Sequence, residues 1–219
     1  DFVYNNETKK VSLWKAKKID DYMQVEGVTS DGIGVNFVFN VYGNLYQAIT
    51  FGTSTGAITD HETSEIFTSN TFTFTLEELN TANKTVKVKF SGKMYIDGYD
   101  VESDFIVVSG SFNVPYSNST PDIPGLGTFA KFDGTDWHGM AFDSSTTGST
   151  QITTLNVQND GEYSLGIVFA KGDLKTGTFP FTGNDFSNGV SLEKFDISTD
   201  EYIDYNVSGT ITYTTVGNN

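Results

Sequence analysis

The chain has 219 residues and a formal net charge of −15, from 28 acidic residues against 13 lysines and no arginine. A negative field without guanidinium forks excludes nucleic acid as a natural partner and disfavours an anionic membrane surface. With no cysteine, disulfides, thiolate metal sites and cysteine nucleophiles are excluded, while 37% apolar and 14% aromatic residues supply a core.

No apolar run approaches the ~20 residues of a membrane-spanning helix, so no transmembrane segment is expected. The chain opens on Asp1, and its Thr, Ser, Asn and Gly content suits an exported bacterial protein, periplasmic or at the cell surface, whose targeting segment has been removed.

Five of the lysines (Lys9, Lys10, Lys15, Lys17, Lys18) lie in the first 18 residues around Trp14, as on an edge strand protected against pairing. Met23 to Val28 alternates, and Asp31-Gly32 supplies a hairpin turn before Gly34 to Val41. A second turn at Val41-Tyr42-Gly43-Asn44 leads into Tyr46 to Phe51. Two hairpins in succession make a meander.

From Thr53 to Asn70 the pattern disappears, an unusual length for a structureless loop in a compact domain. Thr71 to Leu76 resumes as a strand, and Thr75 to Leu79 is read as strand rather than helix. Val86, Val88 and Phe90 then alternate with Lys87 and Lys89. Asp97-Gly98 turns the chain, and Asp104 to Val114 returns. Ser-Gly inside a strand occurs at Ser91-Gly92, Ser109-Gly110 and Ser208-Gly209, marking bulges or close backbone approaches.

Pro115, Pro121 and Pro124 cluster around a Ser/Thr-rich stretch, which places a linker at 117–127 between a first β domain (1–116) and a second (128–219). The two sides of residue 120 carry −6 and −9, so neither is a basic arm. The stretch 32–51 recurs as 161–182: Gly, an apolar block, Gly-Asn-Leu or Gly-Asp-Leu, and an alternating strand. Ser191 to Asp196 parallels Thr75 to Asn80, and each half has one tryptophan, Trp14 and Trp137, expected to be buried. The fold expected is all-β, with two tandem antiparallel β-sandwich or flattened-barrel domains arising from duplication.

Phe129-Ala130-Lys131-Phe132-Asp133-Gly134-Thr135-Asp136-Trp137, Gly177-Thr178-Phe179 and Val207-Ser208-Gly209-Thr210-Ile211 carry a resemblance to an uncharacterised family of small exported lipoprotein β-domains of Bacteroidetes. The resemblance covers residues 129–214, with the first half looser. It implies a periplasmic or surface location and no known activity. Without a lipid-bearing cysteine here, an anchor would lie in a removed N-terminal segment.

Asp133, Asp136 and His138 beside Trp137 read as turn chemistry around a core plug. Asp97-Gly98-Tyr99-Asp100 and Asn159-Asp160-Gly161-Glu162 resemble fragments of calcium loops without the full ligand run. No Gly-x-Ser-x-Gly elbow, phosphate-binding or dinucleotide glycine pattern occurs. The four Asn-x-Ser/Thr sequons, at Asn6, Asn83, Asn118 and Asn206, carry no assigned role. The residues singled out for ligand or metal contact are Asp60, His61, Glu62 and Glu65 in the long loop, then Asp97, Tyr99 and Asp100 at the hairpin tip. Their oxygen and imidazole groups suit a divalent cation, calcium among them. No catalytic residue is assigned.

Two function classes follow. One is a non-enzymatic surface or periplasmic binding or adhesion module for a glycan or a protein. The other is a glycosidase-like hydrolase using paired carboxylates on a β scaffold. A deep cleft with facing carboxylates favours the enzyme, and exposed tyrosines on an open surface favour binding.

Overall fold

The computed structural model describes residues 1–54, 58–64, 71–121, 127, 129–132, 134–139, 141–147, 152–159, 163–170, 175–181, 188–196, 198–199 and 201–214. The protein is all-β, as its alternating sequence requires: every described element is a strand. Two compact units divide the chain, 1–140 and 141–219. The division falls later than the proline cluster.

The first unit contains β1 (Phe2–Tyr4), β2 (Glu7–Lys9), β3 (Val11–Ile19), β4 (Tyr22–Thr29), β5 (Ile33–Asn40), β6 (Leu45–Gly52), β7 (His61–Glu62), β8 (Phe72–Asn80), β9 (Thr85–Tyr95), β10 (Phe105–Pro115), β11 (Ser117–Asn118), β12 (Phe129–Phe132) and β13 (Thr135–His138). Eleven strands form one sheet in the order β11-β3-β4-β5-β6-β7-β9-β10-β1-β2, with β8 added beside β9. Because β10 and β11 are separated only by Tyr116, the path from β3 round to β10 returns to β3 through β11. The sheet is curled upon itself.

Alternation explains which side faces in. Along β4, Met23, Val25 and Thr29 are buried and their neighbours are half-buried. On β9, Val86, Val88 and Phe90 are buried while Lys87 and Lys89 are exposed, the pattern expected from the sequence. The interior is filled with rings. Phe37 lies 4.6 Å from Phe90, 5.5 Å from Phe112 and 6.0 Å from Phe74, centroid to centroid. Tilted aromatic contacts of this kind add to the burial of each ring. Trp14, half-buried on β3, meets Phe112 at 5.0 Å. It needs Gly27 opposite, since a Cβ there would come within 2.6 Å of the indole.

The Ser-Gly repeats of the two long strands lie side by side: Ser91 pairs with Ser109, Gly92 with Val108 and Gly110 with Phe90. Gly92, at φ +157°, takes the backbone of Thr71 and Phe72 against it on β8. Thr75 to Leu79 belongs to β8, a strand as expected.

Two opposite ends result from the meander. At one, the 41–44 turn is built on the buried amide of Asn40, whose Oδ1 accepts from the N–H groups of Tyr42 and Asn44 at 3.0 and 2.9 Å. The β12–β13 hairpin sits here: Asn40 Nδ2 donates to Gly139 O, and the His138 ring stacks on Tyr42 at 4.3 Å. Trp137 on β13 is buried. The other end gathers the Asp31 turn, the end of β6, β7 and the loop 96–104.

The second unit contains β14 (Ala141–Thr147), β15 (Ile152–Asn159), β16 (Tyr163–Ala170), β17 (Gly177–Pro180), β18 (Gly189–Asp196), β19 (Glu201–Tyr205) and β20 (Thr210–Tyr213). Five strands form an antiparallel sheet in the order β14-β15-β16-β18-β19, and β17 pairs with β20. Ser191 to Asp196 lies within β18, again a strand. The hairpin that 32–51 makes as β5 and β6 is not repeated in 161–182, where β16 pairs with β15 and β18 while β17 pairs with β20.

Candidate functional site

The sequence places seven candidate residues in two stretches far apart in the chain, and the structure brings the two stretches together. The long loop is not structureless throughout. His61 and Glu62 form β7, which pairs with β6 through Ile49–Glu62 and Thr50–His61, and with β9 through Glu62–Tyr95. Thr63 extends the stitch: its N–H donates to Ala48 O at 2.9 Å, and its hydroxyl accepts from Ala48 N–H at 3.0 Å. Thr63 and Ser64 are almost fully buried and His61 is 8% exposed. β7 therefore closes the gap that would otherwise open between β6 and β9.

The side chains of this stretch carry structural bonds. His61 Nδ1 lies 2.8 Å from Thr59 O. Glu62 spends both oxygens: Oε2 accepts from Gln47 Nε2 at 2.9 Å and Oε1 from Gly98 N–H at 3.2 Å. That last bond ties the loop to the hairpin tip. At the tip, Asp97 accepts from Tyr99 N–H at 3.0 Å and Asp100 from Glu102 N–H at 2.9 Å, the local turns that aspartate makes with the backbone two residues on. The Tyr99 side chain is 67% exposed. Glu65, Asp133 and 160–162 lie outside the described residues.

Asp60 is placed differently. Its Oδ1 accepts from Gly52 N–H at 3.4 Å, and its carboxylate lines an open depression of 670 Å³ with Gly52, Thr53, Ser54, Ile58, Thr59 and Ile96. The volume falls within the roughly 300–1,000 Å³ of small-molecule sites. Ile96 is 48% exposed. Burial raises the Tyr4 phenol above its ordinary pKa, with Lys9 opposing and Asp60 adding to the rise. The phenol near Asp60 is thus neutral at physiological pH. Among the described residues, the lining combines threonine and serine hydroxyls, the Asp60 carboxylate and two isoleucines.

Among the described residues, no group of three or more His, Asp or Glu is gathered in a way that would hold a metal ion. Asp136 pairs with Lys131 at 2.9 Å while His138 stacks on Tyr42, so these two serve different contacts. Sequence reasoning missed Ile58, Thr59 and Ile96 as lining residues. Their only signal was an apolar residue beside a polar run, a pattern shared by many strand ends.

No helix among the described residues is long and apolar enough to cross a membrane. Comparison of the chain with family models, with curated proteins and with solved structures gave no match.

Proposed function

We propose that the chain is a non-enzymatic binding module of an exported protein, periplasmic or at the cell surface, that takes a glycan at the loop end of its first unit. The observation that carries this reading is the open depression beside Asp60. It combines a carboxylate and threonine and serine hydroxyls, suited to sugar hydroxyls, with the aliphatic faces of Ile58 and Ile96. The interior of the curled sheet is packed with Phe37, Phe90 and Phe112, so a ligand is met on the surface.

A glycosidase needs two carboxylates flanking the scissile bond. Among the described residues Asp60 is the one carboxylate lining the depression, and the neighbouring Glu62 is engaged through both oxygens. This favours binding over hydrolysis. The expected location rests on composition and on the resemblance to exported lipoprotein domains.

We further propose that the two units are tandem copies of one β-sandwich or flattened-barrel ancestor. Support comes from the repeated Ser-Gly sequence, within β9 and β10 in the first unit and just before β20 in the second. Gly209, at φ +152°, packs against the Phe181 ring, and Gly92, at φ +157°, packs against Phe72.

The test is a glycan array with and without calcium, followed by calorimetry on the best ligand. Asp60→Asn is expected to weaken binding about tenfold, the loss of one charge-assisted hydrogen bond. Ile96→Ala is expected to weaken it by a smaller factor. Unchanged affinity in both variants, with the fold intact, would place the ligand elsewhere.

A further inference from the structure

Independently of the site beside Asp60, two strand edges of the chain match each other. β3 has β4 on one side, and on the other only the two residues of β11, opposite Lys17 and Lys18. Lys18 O accepts from Ser119 N–H at 2.8 Å on that second side. Strand alternation then aims the backbone groups of Ala16 and Trp14 the same way, where no strand pairs with them among the described residues. A groove of 590 Å³ borders this stretch, lined by β3 from Trp14 to Lys17, by Gln24 and Glu26 of β4 and by the 115–117 segment. Leu13, beside it, is 50% exposed.

β19 is the terminal strand of the five-stranded sheet, and all five of its residues are exposed. Its sequence, Glu201-Tyr202-Ile203-Asp204-Tyr205, is acidic and apolar where β3 is basic and apolar. Neither Lys15 nor Glu201 forms an ion pair among the described residues. Natural sheets blunt free edges with charge to prevent self-pairing. Here the charges are of opposite sign on the two edges, which keeps like edges apart and draws unlike edges together.

We propose that the chain self-associates head to tail, β19 of one copy adding antiparallel to the free edge of β3 of the next. One alignment stops short of the β11 pairing and uses the complementarity: Lys15 opposite Glu201, Trp14 opposite Tyr202 and Leu13 opposite Ile203. Directly opposed side chains on paired strands lie close enough for each of these contacts. Main-chain bonds supply the affinity and the side chains the register. The contact is heterologous, so copies grow into rings or open chains rather than stopping at a two-fold dimer.

Sedimentation velocity of the intact chain, from low micromolar to near-millimolar concentration, tests this. The wild type is expected to form dimers and longer species that dissociate as salt is raised. Lys15→Glu alone and Glu201→Lys alone are each expected to weaken association about tenfold. An equimolar mixture of the two variants should associate again, because each contact between unlike variants joins opposite charges, so the two variants alternate along the chain of copies while contacts between like variants still repel. Both positions are exposed, and circular dichroism of each variant checks that the fold is kept. A wild type that stays monomeric throughout, or variants whose mixture behaves as each does alone, would overturn the proposal.

Discussion

At the residue scale the first unit depends on aromatic rings set against small or absent side chains. Phe37 touches three other phenylalanines in the interior and is fully buried. Phe37→Ala is expected to cost about 3–5 kcal/mol, read as a lowered midpoint in chemical unfolding. A cost under about 1 kcal/mol would mean the ring cluster collapses around the change. Gly27→Val puts branched carbon where the Trp14 ring lies, and about 1–3 kcal/mol of overpacking is expected. Alternation made the buried positions of β4, β9 and β10 legible. The Trp14–Gly27 contact was not, because nothing in a sequence says which glycine lies opposite which ring.

Charge at this scale gives a pH dependence with a definite sign. The Asp31 carboxyl lies below its ordinary value of 3.8 because the Thr29 hydroxyl, and then Lys9, bond to it. A lowered folded pKa contributes stability that is complete above the unfolded value and is lost as pH falls through the folded one. Lys9, held above its ordinary 10.5 by Glu7 and Asp31, contributes below that value and loses its share as pH rises through the raised one. Both groups are solvent-screened, so the effect is small. Asp31→Asn should flatten the acid limb of a melting-temperature profile, and identical limbs in wild type and variant would contradict the Lys9–Thr29–Asp31 arrangement.

At the scale of elements, the long loop shows where sequence reading ran out. Strands reveal themselves by alternation over several residues, and β7 has only two. Its place is set by bonds to β6, β9 and Gly98, all distant in sequence. The candidates of the loop and of the hairpin tip were found separately, and their meeting through Glu62 was not legible. Glu62→Ala leaves the Gly98 N–H and the Gln47 amide without their acceptor, and about 1–3 kcal/mol of destabilisation is expected. Hydrogen exchange should show faster exchange at Gly98 and along the 96–104 loop. Unchanged protection there would mean that β7 is held without its glutamate.

At the scale of the whole molecule, the all-β class follows from composition and from the alternation that recurs outside the 53–70 loop. The internal repeat of 32–51 in 161–182 was legible as letters, but strand pairing is decided by neighbours. β6 finds β5 and β7, whereas β17 finds β20. Gly92 on β9 lies against Phe72 and Gly209, just before β20, lies against the Phe181 ring.

The proposed function turns on whether the surface beside Asp60 holds a ligand or changes it. The most direct measurement is mass spectrometry of a glycan recovered after prolonged incubation with the chain at saturating concentration. A binding module returns the glycan intact, at unchanged mass and in full yield. Cleavage products that accumulate with time, and that vanish in Asp60→Asn, would contradict the non-enzymatic reading and establish a hydrolase.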